Sequence, residues 1–241
     1  MYSFKLTQQF SANKLKPAEF KPKKVGTKTA HTIFILDDSS SMQYHRSGTI
    51  SGFNEFLDVQ KNSEIPTKVS LYKFNGSHVT PVISYVDAKA VEPLTSATYN
   101  PMGSTNLLDA VGTVLRRVNE LNAGKKKEKR DMLQIVVLTD GEENSSREYT
   151  NEMIKGMIHA AEEKNWTFMF LGANVDAFSV GGGMGFRTSN TLQYDTSNIG
   201  QTVALAGQKT ELYKTSVSRG MSAGATYDAS SFTDDERNSV K

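Results

Sequence analysis

The chain has 241 residues, ordinary apolar and charged fractions, no cysteine and a formal net charge of +2. That length supports one large α/β domain with a full core. The missing cysteines exclude disulfides, thiolate metal sites and thiol catalysis, and the small net charge gives no reason to expect a nucleic-acid or membrane partner. The first residues lack a continuous apolar stretch and a small-residue cleavage site, so no secretory signal is read there. No run approaches the roughly 20 apolar residues of a membrane span. The expectation is a protein of the reducing cytoplasm.

Residues 1–28 differ in composition from the rest. Lys5, Lys14, Lys16, Lys21, Lys23, Lys24 and Lys28 face a single acid, Glu19, and Pro17 and Pro22 discourage regular structure. This reads as a basic, solvated arm, with docking on an acidic partner or nucleic acid as the alternative. A strand over 31–37 contains the unbroken apolar run Ile33-Phe34-Ile35-Leu36, which suits burial on both faces. It runs into Asp37-Asp38-Ser39-Ser40-Ser41-Met42, where the chain turns from building core to presenting oxygen atoms. A helix over 47–62 follows, with Ile50, Phe53, Phe56 and Leu57 on one face. Strands at 69–74 and 79–86 flank the hairpin signal Asn75-Gly76, and Pro81 places the second at a sheet edge.

A connection over 87–103 leads to Gly103-Ser104-Thr105-Asn106, which opens an amphipathic helix carrying Leu107, Leu108, Val111, Val114, Leu115 and Val118 and ending at Gly124. The basic run 125–130 has no interleaved aromatics and reads as a solvated loop. A second buried strand, 132–138, runs into Thr139-Asp140-Gly141. The next helix is expected to turn Met153, Ile154, Met157, Ile158 and Ala161 to the core. A strand over 166–171 is followed by a short helix from near Val175 and a glycine-rich turn at 181–185. A brief strand over 192–194 precedes a last helix over 198–218, with Ile199, Val203, Leu205, Leu212 and Val217 inward. Residues 219–241 read as a polar, acidic tail. The alternation predicts an α/β fold over 29–218: a doubly wound, mostly parallel sheet with one antiparallel edge strand and helices on both faces.

Ligands of open α/β sheets sit outside the carboxyl ends of the strands. Two central strands end there in Asp37 and Asp140, and Ser39, Ser41 and Thr105 add three hydroxyls. Such hard oxygens suit Mg²⁺, with water completing its shell. His31, His45, His78 and His159 show no ligand spacing, which disfavours Zn²⁺. Glu142, Glu143 and Asn144 are candidates for the rim. Asp38 is expected to point away from Asp37 and to serve the hydrogen bonding of its loop.

Asp37-x-Ser39-x-Ser41, Thr105 at a helix start and Thr139-Asp140-Gly141 together resemble the metal-ion-dependent adhesion site of the von Willebrand factor A (integrin I-like) family. The resemblance covers about residues 31–218. It implies a doubly wound sheet, a bound Mg²⁺ or Mn²⁺ held by Asp37, Ser39, Ser41, Thr105 and Asp140, and a protein partner whose carboxylate completes the metal shell. It also implies a non-enzymatic adaptor or assembly factor, similar to small cytoplasmic members from bacteria and their viruses that work beside an AAA+ ATPase. Two other readings stand beside it. A phosphotransferase of the haloacid-dehalogenase kind needs a second carboxylate where Ser39 stands. A nucleic-acid-associated or virion component would use the basic arm.

Overall fold

The computed structural model describes residues 28–126, 130–141, 143–173 and 176–241. The arm up to residue 27, Glu142, Val175 and part of the basic run 125–130 lie outside them. Six strands form one sheet in the order β3-β2-β1-β4-β5-β6. They are β1 (Ala30–Asp37), β2 (Thr67–Asn75), β3 (His78–Asp87), β4 (Met132–Thr139), β5 (Thr167–Gly172) and β6 (Thr191–Gln193). All neighbours pair in parallel except β2 with β3. The fold is the expected doubly wound sheet, with Pro81 on the antiparallel edge strand, opposite Tyr72.

Every residue of β1 and of β4 is buried, because helices cover both faces. Ile33 and Ile35 turn to a core shared with α2 (Leu107–Asn122), α3 (Asn151–Glu162) and α4 (Ala177–Gly183). Phe34 and Leu36 turn the other way, toward α1 (Arg46–Lys61) and α5 (Ile199–Ser218). On that side the Phe34 ring meets Phe53 and Phe56 edge-on, at centroid distances of 5.3 and 5.1 Å. Helices α1 and α5 approach closely: a Cβ on Gly52 would lie 3.0 Å from the backbone of Gly200 and 3.0 Å from Val203. Any larger residue at 52 would push the two helices apart.

Several inward assignments shift. On α3, Ile154, Ile158 and Ala161 are buried but Met153 is 48% exposed, because it lies outside their three- and four-residue spacing. On α5 the buried series runs Ile199, Val203, Ala206, Thr210 and Tyr213, which leaves Leu212 out of phase and 46% exposed. The same face buries Lys214, whose Nζ donates to Gln60 Oε1 (2.9 Å) and Thr67 Oγ1 (3.2 Å) and pairs with Glu211 Oε2 at 2.7 Å. Burial lowers its pKa, against the pull of Glu211. Gly181, Gly182 and Gly183 are still helical within α4, and the turn comes at Gly185, with φ +93°.

The largest departure is at 219–241. In place of a tail the chain forms α6 (Ala223–Ser230) and α7 (Asp234–Ser239). Phe232 and Val240 are buried in the core beneath α1 and α5. A capping box of Thr233 and Glu236 starts α7, and Glu236 pairs with Lys209 of α5 at 2.7 Å. Arg237 donates to the carbonyls of Thr188 (2.9 Å) and Ser189 (3.1 Å), beside β6. Polar composition hid these helices because only a few side chains anchor them.

Phe232→Ala is therefore expected to destabilise the protein by about 3 kcal/mol or more in denaturant titration. A change within about 0.5 kcal/mol, normal for a solvated surface position, would return the segment to the status of a tail.

Candidate metal centre

The parallel register of β1 with β4 sets Leu36 beside Leu138. One residue further, Asp37 stands level with Thr139, and the Thr139 hydroxyl donates to Asp37 Oδ2 at 2.6 Å. The other oxygen, Oδ1, accepts the Ser39 N–H at 2.8 Å, which curls the chain into a 3-10 turn, Ser40–His45. The carbonyl of Asp37 accepts the hydroxyl of buried Tyr99 at 2.7 Å. Asp37 is thus placed by the sheet and held at both carboxylate oxygens.

The three hydroxyls converge near Asp140. Ser39 Oγ lies 3.2 Å from Ser41 Oγ, and Ser41 Oγ donates to Asp140 Oδ1 at 2.6 Å. A Cβ on Gly141 would lie 3.4 Å from Thr105 Oγ1 and 3.6 Å from Ser41 Oγ, so both hydroxyls border the space above that glycine. Serines and threonines at such positions commonly cap helices, but these do not. Ser39 precedes its turn without a side-chain capping bond, and the residue that caps α2 is Asn106, not Thr105, also without a side-chain bond.

Two buried carboxylates at this edge carry an electrostatic cost. Burial, the largest cause, raises Asp37 to about 6. Bonds from Thr139 and Ser39 oppose the rise, and the charge of Asp140 adds to it. Burial also raises Asp140, against the Ser41 bond and the attraction of His45. Asp140 Oδ2 is buried and has no hydrogen-bond partner, with His45 Nε2 3.9 Å away. An orphaned carboxylate oxygen beside clustered hydroxyls is what a hard, oxygen-seeking cation would satisfy. Among the described residues no group of three or more acids, histidines or cysteines gathers, here or elsewhere, so a cation at this site would depend on the hydroxyls.

Sequence reasoning missed what fastens the loops. Glu143, read only as a rim residue, ties the loop to the helix: it accepts the N–H groups of Ser145 (2.9 Å), Ser146 (2.7 Å) and Leu108 (2.9 Å), the last in the first turn of α2. Asn144 Oδ1 accepts the Thr105 N–H at 3.0 Å while the Asn144 N–H donates back to Thr105 O at 3.1 Å. This reciprocal pair orients Thr105. Asp38 does not serve the hydrogen bonding of its loop: its Oδ2 pairs with Lys73 of β2 at 3.0 Å and its buried Oδ1 has no hydrogen-bond partner. The Thr-Asp-Gly-x-Glu-Asn spacing of residues 139–144 alone held no signal for these contacts, which join segments far apart in sequence.

For metal-free protein the raised pKa of Asp37 has a defined sign. Between its unfolded value near 4 and about 6 the folded state holds the extra proton, so stability falls as pH rises through that window. At about 1.4 kcal/mol per unit the loss amounts to roughly 3 kcal/mol. Denaturant titrations in EDTA from pH 4 to 7 should show this slope, and Asp37→Asn should flatten it. An equal slope in the variant would contradict the assignment.

The comparisons with known proteins bear on the fold and the family. The family model for the von Willebrand factor type A domain matches residues 32–203. No curated protein matches the chain at a significant level. Among solved structures, the pilus adhesin SpaC from Lactobacillus rhamnosus GG superposes with a TM-score of 0.55 at 12% identity, over 77% of this chain and 30% of that one. Manganese-loaded Plasmodium vivax TRAP protein gives 0.50 at 16% identity, over 74% and 72%. A von Willebrand factor type A protein from Catenulispora acidiphila gives 0.50 at 12%, over 77% and 43%. At such identities these are likenesses of fold, and the chain spans less than half of two of these proteins. From β1 into α5, the chain belongs to the von Willebrand factor type A domain family.

Proposed function

We propose that the protein is a metal-dependent protein-binding module that docks a partner's carboxylate on a Mg²⁺ or Mn²⁺ at the carboxyl end of the sheet. The observation that carries this reading is the buried, partnerless Asp140 Oδ2 beside the linked hydroxyls of Ser39 and Ser41. Ser39, Ser41 and Thr105 would hold the cation through neutral oxygens, with Asp37 and Asp140 behind them. The cation would supply a positive centre, and neutral donors leave enough of that charge to attract an anionic oxygen from outside. The manganese of the TRAP structure is in keeping with such a site.

The role we assign is that of a non-catalytic adaptor or assembly factor. Ser39 stands where phosphoryl-transfer chemistry on Asp37 would need its general acid. Among the described residues no helix is long and apolar enough to cross a membrane, and a chain without cysteine suits the reducing cytoplasm in which we place it. Residues 1–27 of the basic arm 1–28, on which the nucleic-acid reading rests, lie outside the described residues.

Mg²⁺ should raise the melting temperature of chelator-treated protein, because a ligand that binds only the folded state stabilises it by mass action. Asp37→Ala should abolish that rise. Proteins captured from native lysate on the wild-type chain should be released by EDTA and missing from Asp140→Ala. An unchanged melting curve at millimolar Mg²⁺, or EDTA-resistant capture, would overturn the proposal.

A further inference from the structure

The end of the sheet away from Asp37 and Asp140 holds a cavity of about 430 Å³. Its apolar wall is Met132 at the start of β4, Tyr213 and Val217 of α5, Met221, and Tyr227 of α6. The tyrosine hydroxyls are turned to backbone carbonyls, Tyr213 to Leu133 O (3.2 Å) and Tyr227 to Trp166 O (2.8 Å), so the cavity is offered rings. The chain enters the sheet beside this wall. Thr29 O accepts the Met132 N–H at 2.9 Å, and Lys28 stands at the mouth. Lys28, Arg130 and Lys164 outnumber Asp131 and Glu163 there, and Asp131 is engaged by the Tyr85 hydroxyl (2.8 Å) and by Lys125 (3.7 Å). Such a mouth disfavours a stretch of lysines and suits an apolar side chain with an acid beside it.

We infer that the occupant is the chain's own N-terminal arm, with the Phe20 ring in the cavity and the Glu19 carboxylate on Arg130. Glu19 is the only acid in residues 1–28 and adjoins an aromatic residue, whereas Tyr2, Phe4 and Phe10 have no acid beside them. Seven residues separate Phe20 from Lys28. Fully extended they reach roughly 25 Å, and Gly26 lets the chain reverse. A ring on so short a tether has an effective concentration of about millimolar, which an untethered partner would have to exceed. The polar segment 219–241 is anchored in the same manner, by Phe232 and Val240. This contact is remote from the proposed cation and stands apart from the metal reading.

The test exploits the absence of cysteine from the full chain. A Lys21→Cys, Met221→Cys variant is treated with a short bis-maleimide, and cross-links within one chain are followed by peptide mass mapping. Adding Phe20→Ala should slow the cross-link about fivefold or more, while adding Phe10→Ala should leave it unchanged. Arg130→Glu should slow it as well, and Glu19→Arg in that same chain should restore it. All variants should give the same circular dichroism spectrum. An equal rate without Phe20, an equal loss with Phe10→Ala, or no recovery on charge reversal would overturn the inference. Cross-links formed mainly between chains would also overturn it, and would assign the cavity to the arm of a second copy.

Discussion

Asp37 and Asp140 are buried carboxylates at the ends of two adjacent parallel strands, and the loops around them are built to make that arrangement tolerable. Charge without solvent must be neutralised, hydrogen-bonded or matched by a counter-charge. Asp37 takes the hydrogen-bond route, through the Thr139 hydroxyl and the Ser39 N–H. Asp140 takes it only halfway: Oδ1 accepts from Ser41 and Oδ2 has no donor. An unfinished shell of this kind is costly in a structural network. It is serviceable where a cation is to be held.

The rest of the upper edge keeps those oxygens from rearranging. Tyr99 donates to the Asp37 carbonyl and Tyr194 to the Thr139 carbonyl, so buried tyrosines brace the ends of both strands from below. Arg46 Nε donates to Tyr99 O at 2.8 Å and links α1 to the same brace. The Asn144–Thr105 pair and Glu143 lock the second loop to the third. The donors thus sit on loops that are tied to one another and, through Thr139, Leu108 and Tyr99, to the sheet, to α2 and to the buried side of the domain, which is how a site gains precision without losing access.

Much of this was legible in the sequence, for physical reasons. The apolar runs before Asp37 and Asp140 announce strands buried on both faces, and a carboxylate straight after such a run has to lie at a strand end. The hydroxyls of Ser39, Ser41 and Thr105 were readable because they follow those strands and open that helix. What stayed hidden depends on contacts between distant segments. Glu143 and Asn144 look like acids and amides at any helix start until their partners, Leu108 and Thr105, are brought alongside. On α5, Leu212 drew the inward assignment by hydropathy, while phase left it exposed and gave buried positions to Thr210 and Lys214; Leu205 does pack against the core, partly buried. At 219–241 composition outweighed the Thr233-x-x-Glu236 pattern, a capping-box signal that marks α7 and was present to be read.

The central claim, that Asp37, Ser39, Ser41, Thr105 and Asp140 hold one divalent cation, is tested most directly by calorimetric titration of Mn²⁺ into chelator-treated protein. The account predicts one saturable site per chain, lost in a Ser39→Ala, Ser41→Ala variant that keeps its fold by circular dichroism. Absence of saturable binding to the wild-type chain, or undiminished binding to that variant, would contradict it.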